Sequence, residues 1–134
     1  MTPAPIATLL SDRHAGTAAA VLLTLPYWSS CILKLADWRG SLAEAGRFDL
    51  EPAIVVVTLM ILVQLGGSLL VITGRLAWFG AGALGVFTAL ATLIAHPFWS
   101  VADPASRFRE CNIFLEHVGL IGGLLLAAVL RERL

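Results

Sequence analysis

A chain of 134 residues with nine basic and nine acidic side chains has the length of a single domain and no excess charge with which to hold nucleic acid. A hydrophobic content of 58%, only 13% charged residues and a mean hydropathy of +0.87 exclude an ordinary soluble domain and point to the membrane. Cys31 and Cys111 are too few for a disulfide scaffold and lack zinc-ligand spacing, so no metal site is expected.

Residues 1–14 read as a short mixed lead-in with Pro3 and Pro5, ending in Asp12, Arg13 and His14. The apolar run that follows resembles a signal peptide only superficially. Pro26, Tyr27 and Trp28 stand where small cleavage-site residues would be needed, so the run is read as an uncleaved span over about 15–35. Pro26 is tolerated inside a membrane helix, with a kink as its consequence. Tyr27, Ser30, Cys31 and Lys34 recur at i, i+3, i+4 and i+7 and share a face. Lys34 either snorkels to the interface or serves the bundle interior.

The polar stretch Asp37 to Glu51 carries Trp38, Leu42, Ala45 and Phe48 at roughly helical spacing, with its charges elsewhere. That pattern predicts an amphipathic segment lying in the interface. Pro52 opens a second span, about 52–73, in which Gln64 sits mid-membrane beside Gly67 and Ser68. Gln64 there is either a helix-packing residue bonded to a neighbour or part of a polar site. Gly74-Arg75 is a short turn into a third span, about 76–96, so these two helices form an antiparallel hairpin. Ala77, Ala81 and Gly85 make a small-residue ridge on the third span, and Thr88, Thr92 and His96 a polar one. A second connector leads to the last span, about 111–130.

The expected architecture is therefore all-α: an integral membrane four-helix bundle with an interfacial amphipathic segment between helices 1 and 2. Its polar residues are unevenly placed. Lys34, Cys31, His96, Cys111, Asn112, Glu116 and His117 all fall in the half of the bilayer bordered by the two long connectors. A purely structural bundle has no reason to gather them there, so that half is the candidate site. In the last span Asn112, Glu116, Gly119 and Gly123 share one face, and a carboxylate at membrane depth needs a partner or a lost charge. Glu116 is expected to face the interior and pair with Lys34 or His96, with His117 turned about 100° away.

The same residues resemble the DoxX family of small four-span membrane proteins. The likeness lies in Lys34 ending the first helix, Gln64 followed by Gly66-Gly67-Ser68, Gly74-x-x-Ala77 after the hairpin turn, and Phe87-Thr88-Ala89 with His96 beyond. Asn112-x-Phe114 followed by Gly122-Gly123-Leu124-Leu125-Leu126 completes it. Two positions depart from the family pattern: Gln64 stands where an acid is common, and Glu116-His117 where Lys-Asn is common. The resemblance implies a bacterial inner-membrane protein, in some relatives a subunit beside thiosulfate:quinone or thiol-redox enzymes.

Three functions compete. The first is a redox-associated membrane subunit that binds quinone, or couples thiols to it, through Tyr27, Lys34, Gln64, His96, Asn112, Glu116 and His117; whether such a subunit is itself an enzyme stays open. Cys31 and Cys111 would be its redox pair if they approach, and are otherwise small buried hydrophobes. The second is a non-catalytic membrane partner or small-molecule binder, alone or as an oligomer. The third, a small transporter, ranks last because four short helices leave little room for alternating access. Basic residues divide four on the terminal side against five on the connector side, so charge does not orient the chain. Cytoplasmic termini are expected from the resemblance.

Overall fold

The structure is a computed structural model that describes residues 1–133, with side chains through Arg131. Six α-helices follow one another: α1 (Ala4–Ser11), α2 (Arg13–Ala36), α3 (Trp38–Arg47), α4 (Ala53–Thr73), α5 (Ala77–Ala95) and α6 (Pro104–Arg133). A 3₁₀ turn, Phe98–Ser100, stands between the last two, and no strand occurs among the described residues. Helices α2, α4, α5 and α6 are long and apolar enough to cross a membrane. The chain is an all-α membrane bundle.

Two boundaries differ from the sequence expectation, and one expected segment takes definite form. The lead-in forms α1, with Pro5 in its first turn where a missing N–H costs nothing, and extended Asp12 separates it from α2. The amphipathic segment is a true helix, α3. The Asp37 side chain caps it by accepting from the Gly40 N–H at 3.1 Å, and Ala45 is its buried anchor against α4. Helix α6 starts at Pro104, seven residues ahead of the expected 111. Asp103 sets that start by accepting from the Ser106 N–H at 3.0 Å and its hydroxyl at 2.8 Å, bonds that also hold the Asp103 carboxyl below the usual carboxylate range.

Packing follows chain order: α2 lies on α4, α4 on α5, and α5 on α6. Without a hydrophobic drive between helices in lipid, close backbone approach and hydrogen bonds must supply the cohesion. Gly67 and Gly80 supply the first at the α4–α5 crossing. A Cβ added to Gly80 would lie 2.7 Å from the Gly67 carbonyl oxygen. The turn between these helices uses Gly74 at φ 75°, a left-handed conformation that suits a residue without Cβ. Arg131 closes the terminal end, donating from Nε to Val71 O at 3.2 Å and from Nη2 to Ile72 O at 2.5 Å. These carbonyls belong to the last turn of α4, which has no helical partners for them.

The core is small: Ala20, Tyr27, Val71, Ala81, Leu84 and Leu124. Helices α2 and α6 meet only over a short stretch, where Leu23 abuts Gly123. That brevity decides where the polar residues of the connector-side half end up.

Candidate functional site

The polar ridge of α5 lies inside the bundle, with Thr88 and Thr92 both buried. Each threonine hydroxyl donates to the carbonyl four residues back, Thr88 to Leu84 O at 2.7 Å and Thr92 to Thr88 O at 2.5 Å. A hydroxyl has one proton, so further contacts to these oxygens must be accepted. Tyr27 OH therefore donates to Thr88 Oγ1 at 2.5 Å, and His117 Nδ1–H donates to Thr92 Oγ1 at 2.9 Å. That assignment places a proton on His117 Nδ1. Below Thr92 the ladder reaches the connector surface. The His96 ring packs edge-on against His117, with centroids 5.3 Å apart, and its Nδ1 meets Glu110 Oε2 at 2.5 Å. Phe98, Trp99 and Phe114 pack edge to face at this end.

A separate cavity of about 310 Å³ opens between α2, α3, α4 and α5 at the connector end. Lys34, Ser41 and Glu44 are its polar wall, and Val57, Met60 and Phe87 are among its apolar lining. The Lys34 ammonium donates to Ser30 Oγ at 2.6 Å, one turn back, and is half-buried rather than extended into the interface. The volume is that of a small-ligand pocket, and the lining is of the kind such pockets have: mostly apolar, with a few oriented polar groups.

The structure thus divides the expected cluster into three. His96 and His117 join Tyr27 through the α5 ladder. Lys34 belongs to the cavity. Asn112 and Glu116 are exposed on the outer side of α6, and neither bonds to any described residue. The expected inward Glu116, paired with Lys34 or His96, is corrected. Helix α6 seats on α5 along the face of Glu110, His117 and Leu124, seven residues apart, and Glu116 lies off that face. The carboxylate that meets His96 is Glu110, which the sequence reading left in the connector. Its spacing from His117 was the signal for it, once the helix is extended to Pro104.

Gln64 is buried at 5% exposure, and its side-chain oxygen has no partner among the described residues. Cys31 is buried with Sγ 3.6 Å from Ile61 O, Cys111 is half-buried, and both thiols are free. Ser41 and Glu44 were not foreseen, because only the fold of α3 over α2 and α4 brings them to Lys34. No group of three metal-ligating side chains occurs among the described residues.

Residues 17–97 match the family model of DoxX, which is more than half of the chain. The chain belongs to the DoxX family. The match takes in α3, α4, α5 and nearly all of α2, and therefore the whole Lys34 cavity and the α5 ladder, but stops before α6. No curated protein and no solved structure matches the chain.

Proposed function

We propose that this DoxX protein is a redox-associated membrane subunit that holds a quinone-class amphiphile in the cavity beside Lys34. The observation that carries the reading is the Lys34 ammonium in the wall of a mostly apolar chamber of about 310 Å³ at the end of the bundle, with Ser41 and Glu44 as the other polar groups of that wall. A quinone head group fits that chemistry. A carbonyl oxygen of the ring accepts from the Lys34 ammonium, the Ser41 hydroxyl being spent on Asp37 O at 2.9 Å, and the ring and tail suit Val57, Met60 and Phe87. Bound there, it would supply the two-electron chemistry that the chain's own unpaired thiols do not. Electrons would then come from a partner redox enzyme at the connector side, with the host membrane a bacterial inner membrane and both termini cytoplasmic.

The test is extraction. Protein purified in mild detergent is extracted with organic solvent, and the extract is analysed by mass spectrometry beside that of the Lys34→Met variant. Quinone at near one per chain is expected, with affinity roughly ten- to a hundredfold weaker in the variant, the range for losing a hydrogen bond to a charged group. Phospholipid alone in the extract would favour a non-catalytic amphiphile binder instead. Equal quinone in both proteins would remove Lys34 from the site.

A further inference from the structure

The outer face of α6 is unlike a surface made for lipid. Asn112, Leu115, Gly119, Gly122 and Leu126 follow one another at steps of three, four, three and four residues, and all are exposed. All five therefore lie on one face, in the arrangement by which one helix can seat along another. A Cβ added at Gly119 or Gly122 would meet nothing within 4 Å, so these glycines form a notch that their own bundle leaves unfilled. Beside the seam stands Glu116, exposed and bonded to no described residue.

The depth of Glu116 makes this exposure costly. Glu110 and Arg131 bracket roughly 31 Å of helix rise, about the thickness of a hydrocarbon core, and Glu116 lies roughly 9 Å inside the Glu110 end. A carboxylate there should face protein. No other helix of the chain covers it: Glu116 is exposed, and the α6 residues that share a groove with α2 are Gly123, Leu126, Ala127 and Leu130, two turns or more further along.

We infer that this face is the contact between two copies of the chain, packed α6 against α6 in parallel about a two-fold axis along the membrane normal. The seam carries its own complement. A helical side chain leans toward the helix N-terminus, so the Glu116 carboxylate lies over the turn that contains Asn112. In a parallel pair it reaches Asn112 of the second copy, whose carboxamide N–H groups donate to it. Symmetry makes that contact twice, as a two-fold interface requires. Gly119 and Gly122 let the two backbones approach closely enough for it. A different protein would have to bring its own donor to the same depth, whereas a second copy already has one. The contact is independent of the cavity ligand, and either can fail without the other.

The experiment is cross-linking in membranes of expressing cells, on a chain in which Cys31→Ala and Cys111→Ala leave no native thiol. Leu115→Cys under mild oxidation is expected to give a species of twice 14.2 kDa. Val86→Cys, on the exposed side of α5, is the control and should stay at the monomer mass. Adding Gly119→Leu and Gly122→Leu should lower the cross-linked share at least fivefold. Because both side chains grow into open space, helical content should not change. Should that variant fail to reach the membrane, Asn112→Leu, which removes the donor with no comparable gain in bulk, is expected to lower the share as well. Equal cross-linking from Val86→Cys, a product containing another protein, or a dimer indifferent to these substitutions would overturn the inference.

Discussion

Substituting Gly80 by alanine tests the crossing that holds the α4–α5 hairpin and hence both polar sites. The new Cβ would sit 2.7 Å from Gly67 O and 2.7 Å from Leu70 Cβ. Optimal carbon contacts lie at about 3.5–4.0 Å, so the helices must separate by several tenths of an ångström. Neither contact atom can swing away: one is backbone, and the other is fixed directly to it. Overpacking of this kind costs about 1–3 kcal/mol. Alanine returns about 1 kcal/mol of helix propensity, which leaves a net loss of about 0–2 kcal/mol. Gly82 is the control, since a Cβ there meets nothing within 4 Å and only the propensity gain should remain. Unfolding titrations in mixed micelles would measure the difference, expected to be about 2 kcal/mol between the variants. If Gly80→Ala proved as stable as Gly82→Ala, the close crossing would not be what holds this hairpin together.

Two further substitutions probe the ladder and the terminal latch. Tyr27→Phe deletes the bond to Thr88 but leaves that hydroxyl donating to Leu84 O, so it should cost only about 0.5–1.5 kcal/mol. Thr88→Val strands the buried Tyr27 hydroxyl and should cost about 1–3 kcal/mol; the reverse order in the same titration would refute the donor assignment. Arg131→Ala leaves Val71 O and Ile72 O without their donor at a helix C-terminus and should cost on the order of 1–2 kcal/mol. Arg131→Lys should fall between it and wild type, because it keeps the charge but loses the planar fork; a lysine variant no better than alanine would show that charge is not what Arg131 contributes.

The four spans were legible because uncharged runs of membrane length have few other uses, and the amphipathic α3 because its apolar residues recur at helical spacing. The start of α6 was not. Arg107, Arg109 and Glu110 look like connector residues, yet a helix that begins in the interface carries charges in its first turns without cost, and the decisive signal was the capping pair Asp103 and Ser106. From that displaced start follows the error over Glu116. A helical wheel shows that Asn112, Glu116, Gly119 and Gly123 share a face, and equally that Glu110, Phe114, His117 and Leu124 share another. It does not say which face meets the neighbouring helix. Thr92 and His96 settle that, by bonding to His117 and Glu110 and so turning the second face onto α5. Glu116 is then carried outward by the same rotation that brings His117 in. With His117 turned onto α5, Glu116 lies about 100° away on the exposed side, and that face becomes the one for which a partner must be sought.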